Sequence, residues 1–199
     1  MKNIIAVSAQ LKHCSIAISY EDRLYETNED IDAASNLVWL FDNLVKCNSI
    51  DLQKIDGIIA AAGPCSFTGT RVSQSFAKGL ALALKLPAAN VNYFDIIENI
   101  CAIRNFPNAI IVIRSEKKQA YYRIGEEIGI SPPELLATKI DDGAVLMGDA
   151  ADEIASYVKN KNITMIPVAD FRKAKYLLEF AHLITSESLI QPFYISHSK

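Results

Sequence analysis

Several things are scarce in this 199-residue sequence, and each scarcity excludes a class of protein. No stretch approaches the ~18 uninterrupted apolar residues that a membrane helix needs. The richest run, 79–86, contains Lys85 and stops at Pro87. The opening Ile4-Ile5-Ala6-Val7 is too short for the apolar core of a signal peptide, and Gln10, Lys12 and His13 follow at once. It reads as a buried first strand, so the expectation is a soluble, cytoplasmic chain with no membrane partner. Eight glycines and seven prolines are too few for a fibrous or low-complexity protein. The four cysteines, Cys14, Cys47, Cys65 and Cys101, form no C-x-x-C pair, which argues against zinc ligation and a redox dithiol. The three histidines, His13, His182 and His197, include no i, i+4 pair. A net charge of −3 provides no basic coat for holding nucleic acid by bulk electrostatics.

Apolar residues are plentiful. Half of the chain is hydrophobic and 22% is charged, which excludes a disordered chain. The length fits one domain or two joined lobes, at roughly 100–200 residues per domain. Residues 3–8 and 15–20 read as a strand pair, and 23–27 as a short third strand. Residues 32–46 read as a helix with Leu37, Leu40, Phe41, Leu44 and Val45 along one stripe. Val38 and Trp39 fall off that stripe, so the helix is either fully buried or packs both on its own core and on a partner. Residues 57–62 form a buried strand, 63–68 a loop, and 69–85 a helix stopped by Pro87. Asn92 reads as the cap of a helix over 93–104.

The pattern then repeats. Strands at 109–114 and 119–124 precede a short helix after Pro132-Pro133. A strand at 144–147, a helix at 152–159, a strand at 163–167 and a helix at 171–183 follow, with an extended tail at 191–199. A hairpin followed by alternating helices and strands, twice over, predicts an α/β fold with mixed sheets in two related lobes, the second smaller.

Charge is unevenly spread. From Gly57 to Phe94 there is no Asp or Glu, while Arg71, Lys78 and Lys85 recur along one helical face. A solvated face is the ordinary reading of that row; a surface for an anionic partner is the other. Asp141-Asp142-Gly143 reads as a turn, and Asp149 as a helix cap ahead of any functional acid. His13 reads as a turn residue.

The loop Gly63-Pro64-Cys65-Ser66-Phe67-Thr68-Gly69 joins a strand to a helix, with Ser66 and Thr68 as capping hydroxyls. It is not a Walker A loop, because Thr70-Arg71 follows Gly69 in place of Lys-Ser or Lys-Thr. The run from Gly63 to Ala81 resembles the signature G-P-G-S-F-T-G-x-R-x-G…A-K-G-L-A. That signature belongs to the dimerisation subunit of the bacterial tRNA threonylcarbamoyladenosine-modifying complex, a glycoprotease-like family related to the universal transferase subunit. Pro192-x-Tyr194 resembles a P-x-Y near the family's C-terminus.

The departures mark a divergent member. The family's first strand ends I-D-T-S, and here Ser8 replaces the Asp; in related sugar-kinase and actin-type ATPases an acid at that place helps to hold metal and phosphates. Cys65 replaces the second Gly of the signature. Ala33-Ala34-Ser35 stands where the family has His-Ser. Its D-A-R-x-x-E-V-Y segment has become Arg114-Ser115-Glu116-Lys117-Lys118-Gln119-Ala120-Tyr121.

The resemblance implies two ribonuclease-H-like lobes of the actin and sugar-kinase type, at 1–104 and 105–199. It implies a non-catalytic subunit that pairs with the related transferase subunit and works with a small ATPase subunit, meeting tRNA through the complex. A homodimer through the same helices is a further alternative for the chain alone. No cofactor is expected on this chain; ATP and a metal ion are expected on the partner subunits. The candidate interface is Leu37, Trp39, Leu40, Phe41, Leu44, Arg71, Phe76 and Lys78, and the signature loop comprises Gly63, Pro64, Ser66, Phe67, Thr68 and Gly69. The competing reading is a stand-alone glycoprotease-like hydrolase or nucleotide-binding enzyme. It would need a metal site or a nucleophile–base pair, which the residue pattern does not offer.

Overall fold

A computed structural model describes residues 2–190 and 195, apart from 11–12, 66, 107, 116–117, 167 and 186–189. The chain divides into two units. The first is Met1–Tyr93 with Arg172–Phe193, and the second is Phe94–Phe171 with Tyr194–Lys199. The expected division after residue 104 therefore differs from the observed one in two ways: the first unit ends earlier, and a late segment of the chain returns to it.

The first unit is built on a five-stranded mixed sheet. β1 (Ile4–Gln10), β2 (His13–Tyr20) and β3 (Arg23–Glu29) form an antiparallel meander. β4 (Gly57–Ala61) pairs parallel to β1, and β5 (Ala88–Val91) parallel to β4, giving the order β3-β2-β1-β4-β5. Register follows from the alternation of apolar residues: Ile5 faces Ile18 and Val7 faces Ile16, so one face of the sheet is a continuous aliphatic surface.

Two long helices cover that face. α1 (Ala33–Cys47) starts where the Asp32 carboxylate accepts the Ser35 backbone N–H at 2.9 Å. Its stripe of Ala33, Leu37, Leu40 and Phe41 is buried. α2 (Phe67–Leu84) begins two residues before the sequence-based estimate. It ends at Lys85, which takes a left-handed conformation (φ 57°), with Pro87 just beyond. The helices meet through Phe41 and Phe76, edge to face at 5.3 Å. On the opposite face of the sheet lies the segment Ala174–Leu183, anchored where the Ala174 N–H donates to Ser15 Oγ at 2.8 Å. It forms 3-10 turns interrupted at Phe180, not the α-helix expected over 171–183.

The second unit repeats the plan. β6 (Ile110–Arg114), β7 (Ala120–Ile124) and β8 (Glu127–Ser131) form a meander; β9 (Val145–Met147) and β10 (Thr164–Ile166) add in parallel. Read from β8, the order β8-β7-β6-β9-β10 matches the first sheet strand for strand. This is the doubled mixed-sheet plan that the repeated hairpins predict, and the ribonuclease-H-like topology that the family resemblance implies. β8 was not anticipated, because Glu-Ile-Gly-Ile-Ser carries too few apolar residues to stand out. α3 (Tyr93–Ile103) precedes β6, directly after Asn92. α4 (Pro133–Leu136) and α5 (Ala151–Ala155) are single-turn elements, so the helix expected over 152–159 is much shorter. Their core is Val112, Tyr122, Leu136, Ile140, Leu146 and Ile154, among others.

Candidate functional site

The signature loop sits at the C-terminal ends of β1 and β4, where open α/β sheets place ligands. Gly63 takes φ 97°, which a residue with a side chain adopts rarely, and its carbonyl accepts the Tyr93 N–H at 2.5 Å. The bond from Gly63 to Pro64 is cis. Thr68 is exposed and already helical, so it does not stand before the helix as a cap; Ser66 and the Phe67 side chain lie outside the described residues. Cys65 Sγ lies 3.0 Å from Thr70 Oγ1, and Thr70 is buried. The hydroxyl of Ser73, fully buried, reaches the carbonyls of Ala61 at 3.3 Å and Thr70 at 3.2 Å. The hydroxyls of Thr70 and Ser73 are thus turned into the protein.

Ser8, at the place of the missing acid, is also buried, and its Oγ is 2.9 Å from Tyr93 Oη. Tyr93 therefore links the loop, through its backbone N–H at Gly63, to β1, through its ring hydroxyl at Ser8. A buried neutral hydroxyl already bonded to a phenol lacks the charge that an acid would bring to a phosphate-bound metal at this place. Among the described residues, no group of three or more His, Cys, Asp or Glu is arranged to hold a metal ion. Sequence reasoning missed Tyr93, because the Ser8–Tyr93 pair spans 85 positions and no local motif announces it.

The structure separates the candidate interface residues into two sets. Leu37, Leu40 and Phe41 are buried in the core of their own unit, and Leu44 and Phe76 are partly buried against it. Those five face inward, because the same stripe that makes α1 amphipathic is needed to cover the sheet. Trp39 (58% exposed), Arg71 and Lys78 face outward. Val38 at 67% and Leu82 at 83% exposed join them, neither being among the candidates. Their signal was available: both lie off the core stripes of their helices.

The remaining chemistry-bearing residues are structural. His13 opens β2, its Nδ1 3.0 Å from Asp30. Asp149 is not the cap of α5, whose N-cap is Ala150; its carboxylate accepts the Arg114 N–H at 2.8 Å. The Arg114 guanidinium in turn bonds Asp152 at 3.1 Å and Glu153 at 2.8 Å. Asp142 accepts the Asn162 N–H in a turn where Gly143 has φ 78°. Burial pushes the Cys14 thiol up to about 12 and the Cys101 thiol up to about 11, with Glu29 and Glu98 adding to the effect, so neither is a thiolate nucleophile. Pro192 and Tyr194 lie outside the described residues. Among the described residues, no helix is long and apolar enough to cross a membrane.

Comparison with known proteins agrees with this geometry. Residues 32–193 match the family model of TsaD, tRNA N6-adenosine threonylcarbamoyltransferase. The tRNA threonylcarbamoyladenosine biosynthesis protein TsaB of Haemophilus influenzae is 22% identical, covering 90% of this chain and 85% of its own length. TsaB of Buchnera aphidicola subsp. Baizongia pistaciae is 30% identical over 44% of this chain, which spans only 40% of that relative. The solved structure of YeaZ from Pseudomonas aeruginosa superposes with a TM-score of 0.74 at 22% identity, covering 92% of this chain and 91% of that one, a likeness of fold. With the family model matched across most of its length, the chain belongs to the tRNA N6-adenosine threonylcarbamoyltransferase (TsaD) family and is similar along its length to that family's TsaB and YeaZ proteins.

Proposed function

We propose that this protein is a non-catalytic subunit in tRNA threonylcarbamoyladenosine biosynthesis, pairing with a transferase-type relative through the outward sides of α1 and α2. The observation that carries the reading is the Ser8–Tyr93 bond. Where related ATPases keep an acid for metal and phosphate, this chain has a buried neutral hydroxyl engaged by a tyrosine. A lobe without that acid can still fold, and it can still present a surface. The exposed Val38, Trp39 and Leu82 supply one, since large apolar side chains on the outer sides of well-covered helices mark docking faces. In the working complex the transferase relative carries the metal and the chemistry, a small ATPase subunit completes the assembly, and tRNA is met through the complex in the cytoplasm.

Nucleoside mass spectrometry of total tRNA from depleted cells tests the role. The expected result is loss of threonylcarbamoyladenosine, restored by the wild-type chain and not by Trp39→Asp. Normal levels after complete depletion would remove the protein from the pathway.

A further inference from the structure

In the second unit a polar cavity of about 120 Å³ lies between α3, the start of β6 and the turn from β7 to β8. Glu98, Cys101, Asn108, Ile111, Arg123 and Gly125 line it. The Arg123 guanidinium is fixed in place: Nη1 meets Asp95 and Glu98 at 3.1 Å each, and Nε donates to the Gly125 carbonyl at 3.4 Å. Those contacts leave Arg123 Nη2, one oxygen of Glu98 and the side-chain amide of Asn108 without a partner among the described residues. A donor edge, an acceptor and an amide thus line one small space. The buried part of the lining is uncharged: Ile111 is buried, and so is Cys101, whose thiol bonds Met147 Sδ at 2.9 Å.

Size and charge select the occupant. Pockets for drug-sized ligands run to roughly 300–1,000 Å³, so this one takes a handful of heavy atoms and no nucleotide. Two carboxylates, Asp95 and Glu98, face one guanidinium, and that excess of negative charge disfavours phosphate and other purely anionic ligands. A simple cation leaves the free N–H groups of Arg123 unanswered, and an apolar molecule covers all three polar groups without bonding any of them. A molecule with a carboxylate and an ammonium a few bonds apart answers each one by a charge-assisted hydrogen bond. We propose that the cavity binds a small free α-amino acid as its zwitterion, the carboxylate on Arg123 Nη2 and the ammonium between Glu98 and the Asn108 carbonyl. Because Arg123 already ties α3 to β7, the bound molecule braces that junction. The proposal does not depend on the pairing proposed above.

Heteronuclear NMR titration of the full chain with glycine, L-alanine and L-serine tests it. At least one of the three should shift the amide signals of Cys101, Asn108 and Gly125 saturably. The carboxamide of that amino acid, which lacks the carboxylate, and its N-acetyl derivative, which lacks the ammonium, should each bind about tenfold or more weakly. Glu98 and Asn108 are exposed, so Glu98→Gln and Asn108→Ala should keep the fold, as their spectra will show, and Glu98→Gln should weaken binding by about tenfold. No saturable binding of any of the three up to ~50 mM overturns the proposal. A carboxamide that binds as tightly as its parent makes this a cation site and overturns it too. Binding unchanged in both variants places the ligand elsewhere, with the same consequence.

Discussion

The two units share one strand order but spend their helices differently. In the first, α1 has 15 residues and α2 has 18, enough to cover one face of the sheet and still turn a second side outward. In the second, the longest helix, α3, has 11 residues, and α4 and α5 have only 4 and 5. The bonds differ as well. The first unit ties its strand ends with neutral hydroxyls, Ser8 to Tyr93 and Ser73 to Ala61. The second ties β6 to the start of α5 with ions, Arg114 to Asp152 and Glu153, and ties β7 and β8 through Tyr122, Glu127 and Lys139. A duplicated topology thus sets strand order without fixing the length of the helices laid on each sheet.

The comparison can be broken most forcefully at the core of the first unit. Phe41→Asp buries a carboxylate against Phe76 and should cost about 4 kcal/mol or more, losing cooperative urea unfolding. Trp39→Asp, two residues away but exposed, should leave stability within about 0.5 kcal/mol and affect only association. Equal destabilisation by both would erase the division between inward and outward sides of α1.

A second contrast is between glycines. Gly148 ends β9 at φ 132°, and a side chain there would collide with the Val112 carbonyl oxygen; Gly148→Ala should cost roughly 3 kcal/mol in thermal unfolding. Gly79, exposed in α2 with open space around it, should tolerate Ala with a gain of about 0.5–1 kcal/mol. A stabilised Gly148→Ala would contradict the strand-end geometry of the second unit.

The neutral tie of the first unit is smaller in scale. Tyr93→Phe removes the partner of Ser8 and should cost about 1–2 kcal/mol. Combined with Ser8→Ala, the total should fall short of the sum, because the two changes remove the same bond. Strict additivity of the double mutant would show that the bond contributes nothing.

The ionic ties respond to acid. Hydrogen bonds from Lys139 and Tyr122 hold the Glu127 carboxyl below its ordinary range, as one from Lys54 does for Glu21 and one from Ser35 for Asp32. A carboxyl lowered in the folded state binds its proton less readily than in the unfolded chain. Its stabilisation is therefore full above the ordinary carboxylate range and is lost as pH falls through the folded-state value. All three groups are exposed, so solvent screening keeps the effect small. The melting temperature should drop between neutral pH and pH ~3, and slightly less in Glu127→Gln. An identical drop in that variant would remove Glu127 from the account.

Much of the fold was legible because it rests on local periodicity. The alternation in β1 and β2, the stripe in α1 and the Gly63-Pro64 break depend on neighbours in sequence, and the repeated hairpin exposed the duplication. The site was less legible. The run from Gly63 to Ala81 pointed to the family, yet the residue that holds its loop, Tyr93, and the segment that covers the other face of its sheet, Ala174–Leu183, are distant in the chain. Leu37, Leu40 and Phe41 were assigned to a partner surface because apolar stripes look alike whether they meet a core or another chain.

The sequence by itself determined most of the strand and helix order, the break at Gly63-Pro64, the absence of acids from Gly57 to Phe94 and the loss of the acid at Ser8. Each is a property of residue type and short-range spacing. Only the tertiary structure decided which side of α1 is buried, what occupies the hydroxyl of Ser8 and to which unit the late 3-10 segment belongs. Those outcomes depend on which surfaces remain uncovered after the sheet has closed around its core, and the pattern of a single segment does not carry that information.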